Sequence, residues 1–131
     1  MPFIGWNMKL NNYVGLKRGD RAGIKQMMDE CRSHLQNNNS IYIFPEGTRS
    51  TTGELGKFRQ GAFVLAKENE TDILPVIIKN TDKLLVKNKF NTKGKIRLEI
   101  TILPPVIFAT FKDKSSQEIT RLVREEFVKG L

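Results

Sequence analysis

An α/β fold, a sheet with helical cover over a single domain spanning residues 1–131, is what this sequence predicts from three observations. Ile73–Ile78 is a continuous apolar run apart from Pro75, the pattern of a strand covered on both faces. Ile96, Leu98, Ile100 and Ile102 alternate with Arg97, Glu99 and Thr101, the mark of a half-buried strand. Ile24, Met27, Met28, Cys31 and Leu35 recur at helical spacing, as do Ile119, Leu122, Val123 and Phe127. Strands that alternate with amphipathic helices pack as layers around one core.

Each element has a local cause. Phe3, Ile4, Trp6, Met8 and Leu10 make Pro2–Leu10 a short apolar helix, and Tyr13–Lys17 reads as a strand. Asp20 caps a helix from Arg21, which Asn37-Asn38-Asn39 closes by turn chemistry. A strand over Ile41–Phe44, a loop over Glu46–Gly56 and a helix over Gln60–Glu68 follow. Lys83–Lys95, rich in Lys and Asn, is an irregular excursion. Ser115 and Glu118 form a capping box for the last helix, which Gly130 can end.

Composition narrows the function classes. Lys and Arg number 22 against 14 Asp and Glu, a formal net charge of +8 that favours an anionic partner. The Lys83–Lys95 stretch has one aromatic, Phe90, and no nucleic-acid motif, so a lipid or phosphorylated ligand is expected and nucleic acid is not. The single Cys31 cannot form an intrachain disulfide and fits a buried thiol. No apolar run approaches bilayer length. No metal site or cofactor is expected.

The most informative stretch is Phe44-Pro45-Glu46-Gly47-Thr48-Arg49-Ser50. Pro45 lacks an N–H and stops a strand. Gly47 permits a turn closed to other residues, so the main chain can approach a ligand. Thr48 adds a hydroxyl, and Arg49 a planar donor fork suited to phosphate oxygens.

With that motif in place, the sequence resembles the glycerophospholipid acyltransferase family, which includes 1-acylglycerol-3-phosphate acyltransferase. The family's second block is similar to Tyr13-Val14-Gly15-Leu16-Lys17-Arg18, its third to Phe44–Ser50, and its fourth to Ile73-Leu74-Pro75-Val76. Lys57-Phe58-Arg59-Gln60-Gly61-Ala62-Phe63 is similar to the usual link between the last two. The resemblance implies an acyltransferase-type αβα sandwich with a mixed sheet, its first elements missing. It also implies that Arg18 and Arg49 hold the acceptor phosphate, with Glu46, Gly47, Thr48, Lys57 and Arg59 completing the substrate site. Glu46 either bonds the glycerol hydroxyl, orients the turn, or tethers its own loop through backbone N–H groups. Pro75 and Val76 would shape the acyl-side wall. Lys17 stands where many relatives carry aspartate.

The family's first block, His-x-x-x-x-Asp, supplies the general base and the aspartate that orients it. Here the single histidine, His34, is followed five residues later by Asn39, and His34 reads as a helix-end residue. No catalytic residue is therefore assigned, and the expectation is a chain truncated just after that block. The implied reaction moves a fatty acyl group from acyl-CoA or acyl carrier protein to lysophosphatidic acid or a glycerol phosphate acceptor. It would take place on the anionic cytoplasmic face of a membrane, with the enzyme peripheral or anchored by upstream residues. The alternative is a non-catalytic phospholipid- or lysophosphatidate-binding module.

Overall fold

The computed structural model of the chain describes residues 10–11, 13–15, 20–48, 50, 54–81 and 95–131. Two compact units divide it, Met1–Tyr42 and Ile43–Leu131. Most of the expected Pro2–Leu10 helix, the Leu16-Lys17-Arg18 end of the second block, Arg49, and most of Lys83–Lys95 lie outside the described residues.

The first unit is built on helix α1, Arg21–Gln36. Asp20 caps it as expected, its carboxylate accepting from the Ala22 N–H at 2.9 Å. Asn38, at φ 58°, takes the left-handed conformation that Asn tolerates best among non-glycine residues, and the helix ends there. Cys31 is buried, and burial, reinforced by Glu30, pushes its thiol above the ordinary range. His34 sits in the last turn of α1, as a helix-end histidine. Tyr13–Gly15 carry no regular structure, so the expected strand is absent over its described part.

The second unit holds the core. Its elements are α2 (Gly61–Glu68), β1 (Val76–Lys79), β2 (Glu99–Ile102), α3 (Phe108–Phe111) and α4 (Ser116–Gly130). The capping box at α4 is complete: the Ser115 hydroxyl accepts from the Glu118 N–H at 3.3 Å, and the Glu118 carboxylate accepts from the Ser115 N–H at 2.8 Å. Phe58, Phe63, Ala66, Val106, Phe111, Ile119 and Val123 form one buried cluster, with Phe127 and Ile73 packed on it. Each Phe, Ile and Val side chain among them stabilises the fold by about 1.5–3 kcal/mol through burial alone.

β1 and β2 pair antiparallel, with Val76 opposite Ile102 and Lys79 opposite Glu99. The pairing continues past Pro75, whose carbonyl accepts from the Leu103 N–H at 3.0 Å, to a bridge between Ile73 and Val106. From Val76 back to Ile73 is three steps, while from Ile102 to Val106 is four, so one extra residue bulges at Leu103-Pro104-Pro105. The two prolines there have no N–H to contribute, which suits an interrupted ladder.

Two expectations about strands are corrected. Ile41–Phe44 is assigned to no strand; a strand exists only within a ladder, and the sheet among the described residues is β1–β2. Among the described residues, the run Ile73–Ile78 is not covered on both faces either: Leu74 is 57 % exposed and Val76 and Ile78 are half-buried. Ile77 is buried near the end of α4, where a Cβ on Gly130 would stand 2.8 Å from the Ile77 Cδ1. Ile100 and Ile102, predicted to be the buried side of a half-buried strand, are 65 % and 66 % exposed. Alternation in sequence named a face correctly, but within this unit no described element covers it.

Candidate functional site

The candidate site lies where the chain leaves Phe44 and where it returns before α2. Phe44–Gly47 is a β-turn: the Gly47 N–H donates to the Phe44 carbonyl at 3.1 Å. Pro45 sits at its second position, where a fixed φ is an advantage, and its ring ends any extended ladder. Gly47 follows at φ 67°, a left-handed conformation that costs other residues about 1–2 kcal/mol.

The returning segment is seated by Phe58, with Leu55 also packed against the core. Lys57 and Arg59 are exposed while Phe58 between them is buried. The Phe58 ring stands edge-on to Phe127 of α4 at 5.2 Å and near-parallel to Phe63 of α2 at 6.2 Å. Both cationic side chains are thereby fixed at their roots on the outer side of the chain. A buried aromatic between two exposed cations is legible in Lys57-Phe58-Arg59 as a period-2 pattern.

Three contacts join the outgoing turn to the returning segment. The Arg59 N–H donates to the Pro45 carbonyl at 2.8 Å. The Gly56 N–H donates to the Glu46 Oε2, also at 2.8 Å. The Arg59 side chain lies over Gly47, so close that a Cβ there would stand 2.8 Å from its Nε and 2.9 Å from its Cδ. Gly47 thus meets two demands, a positive φ and a close approach. The intervening loop carries Thr48, which is exposed, and Arg49, which lies outside the described residues.

Of the expected site residues, the structure brings Glu46, Gly47 and Arg59 together and places Lys57 beside them in sequence on the exposed side. Glu46 tethers its own loop, one of the three roles open to it from sequence. Arg18 lies outside the described residues. Pro75 is fully buried and Val76 half-buried at the start of β1, so of the pair Val76 is the one with surface to offer. Gly56 was not singled out from sequence; a glycine ten residues after the motif's glutamate is the only trace it leaves. Among the described residues no group of His, Cys, Asp or Glu could hold a metal ion, and no helix is long and apolar enough to cross a membrane.

Comparison with known proteins gives one consistent result. The acyltransferase family model matches residues 1–79. The chain is 36% identical over 85 residues to the chloroplastic 1-acyl-sn-glycerol-3-phosphate acyltransferase of Arabidopsis thaliana, covering 65% of this chain and 24% of that protein. It is 31% identical to the 1-acyl-sn-glycerol-3-phosphate acyltransferase of Saccharomyces cerevisiae, covering 100% of this chain and 44% of the relative. The crystal structure of the 1-acyl-sn-glycerophosphate (LPA) acyltransferase from Thermotoga maritima superposes with a TM-score of 0.80 at 29% identity, over 99% of this chain and 50% of that one. The chain thus spans half or less of the length of these relatives.

Proposed function

Since the chain belongs to the acyltransferase family, whose model matches residues 1–79, we propose that it binds the acceptor of a fatty acyl transfer, 1-acylglycerol 3-phosphate. The donor would be acyl-CoA or acyl carrier protein, and the site of action the cytoplasmic face of an anionic membrane. The names of the relatives, as 1-acyl-sn-glycerol-3-phosphate acyltransferases, support this acceptor.

The observation that carries the proposal is the clamped turn. Two cations, Lys57 and Arg59, are rooted by Phe58 on the exposed side of a segment that is hydrogen-bonded to the Pro45-Glu46 turn. Thr48 and Arg49 follow Gly47 in sequence and are proposed to add a hydroxyl and a guanidinium to the phosphate site. A dianionic phosphate met by guanidinium groups gains about 1.5–3 kcal/mol from each hydrogen bond to charge. Arg18 of the second block is proposed as a phosphate ligand on the family resemblance alone. Val76 offers apolar surface beside Ile78, Ile100 and Ile102 and is assigned to the acyl side, with Pro75 shaping the wall from beneath.

Chemistry at the acceptor hydroxyl requires a general base and support for a developing oxyanion. The one histidine, His34, has Asn39 in place of the aspartate of the family's His-x-x-x-x-Asp block. That favours a second proposal for these 131 residues taken alone, lysophosphatidate binding without transfer. Titration with glycerol 3-phosphate tests the phosphate site: Arg49→Ala should weaken binding by about 1.5–3 kcal/mol, and unchanged affinity would remove Arg49 from it. Assay with a labelled acyl donor separates the two proposals, since robust transfer by the purified chain would refute the non-catalytic one.

A further inference from the structure

The contacts at the ends of the 46–56 loop form a clasp, and we propose that Glu46 and Gly56 are its two halves. Glu46 is then a positioning residue, holding the loop so that the Arg59 side chain stays seated over Gly47, and it is not itself a ligand of the acceptor. This rests on the acceptor site proposed above and assigns the division of labour within it.

Four observations converge. The Glu46 Oε2 accepts from the Gly56 N–H at 2.8 Å, in a part-buried contact. A Cβ on Gly56 would stand 2.8 Å from that same oxygen. Gly56 has no positive φ, so clearance for the carboxylate, not backbone freedom, is what glycine provides here. Three residues on, the Arg59 N–H donates to Pro45 and its side chain covers Gly47, on either side of Glu46 in sequence.

The chemistry is coherent. A carboxylate in a turn meant for phosphate would repel the ligand if left uncompensated. A charge-assisted hydrogen bond from a backbone N–H offsets part of that charge and spends it on the loop. Loss of the clasp would leave the Arg59 N–H to Pro45 as a remaining backbone hydrogen bond between these segments and widen the range of Arg59 positions, which weakens phosphate binding without removing any cation.

Two readouts on the 131-residue chain test this. Amide exchange followed by NMR should show the residue-56 amide protected in the parent chain, at least tenfold less so in Glu46→Ala, and protected in Glu46→Gln, which retains an acceptor oxygen. Protection unchanged in Glu46→Ala overturns the clasp. The second readout is the Kd for glycerol 3-phosphate. Glu46→Ala and Gly56→Ala should each raise it about tenfold, and the double variant should also raise it only about tenfold, because one clasp can be lost only once. A hundredfold rise in the double variant would mean that Glu46 meets the acceptor independently of Gly56, and overturns the positioning role. If the parent chain binds no glycerol 3-phosphate, the acceptor site fails while the exchange comparison still decides the clasp.

Discussion

The loop-bearing site and the β1–β2 ladder hold their residues in place by opposite means. The ladder is regular, yet the described residues cover one of its faces and leave the other open: Ile77 is 4 % exposed while Ile100, on the other face, is 65 % exposed. The described residues between Phe44 and Arg59 form no strand or helix, yet they are pinned at Pro45, Glu46 and Phe58 by two backbone hydrogen-bond donors and one aromatic anchor. Regular secondary structure is thus a poor guide to which part of this molecule is fixed. Where a site must approach a ligand with its backbone, irregular chain held by specific contacts serves better than the paired edge of a ladder, whose N–H and C=O groups are already committed.

The largest expected effect breaks the pinned region from below. Phe58→Ala should destabilise the chain by about 3–5 kcal/mol, since it empties an aromatic site between Phe63 and Phe127. Denaturant unfolding would show it as a lower midpoint at constant slope. A change under about 1 kcal/mol would mean that Phe58 is not what seats Lys57 and Arg59.

Next comes the contrast between the two faces of the sheet. Ile77→Ala should cost about 2–5 kcal/mol, whereas Ile100→Thr, which keeps a β-branched residue at an exposed position, should stay within about 0.5 kcal/mol. Equal costs would show that something covers Ile100 in solution.

How much was legible in advance follows the same division. The caps at Asp20 and at Ser115 with Glu118 were readable because capping is chemistry between residues two or three apart. The buried positions Cys31, Ile119 and Val123 followed from helical spacing, while Ile24 on the same stripe is 47 % exposed. The strands expected at Tyr13–Lys17 and Ile41–Phe44 were not predictable as such, because a strand is defined by a partner that short-range pattern does not name. The bulge at Leu103–Pro105 shifts register by a single residue, for which Pro104-Pro105 was the only cue. Within the site, Glu46 and Gly47 were legible as a motif, but the Glu46–Gly56 contact joins residues ten apart with no periodicity between them.

The smallest effect belongs to the α4 cap, whose contribution should also depend on pH. Ser115→Ala should cost about 1 kcal/mol at neutral pH. The Ser115 hydroxyl, and then its backbone N–H, hold the Glu118 carboxyl below its ordinary range. A carboxyl depressed in the folded state stabilises fully above its unfolded pKa, about 4.3, and loses that contribution as pH falls through the folded value. The gap in melting temperature between the parent chain and Ser115→Ala should therefore narrow on acidification below about pH 4. A gap that widens instead would contradict the assigned partner.

Selectivity for phosphate tests the central claim most directly: that the clamped turn and its cations hold a phosphorylated acceptor. Calorimetric titration of the 131-residue chain with 1-acylglycerol 3-phosphate and with the matching monoacylglycerol gives that selectivity in one experiment. Loss of even one hydrogen bond to charge is worth about 1.5–3 kcal/mol, so the phosphorylated lipid should bind at least about tenfold more tightly. Equal affinity for the two lipids would contradict the claim, because the acyl chain alone would then account for binding.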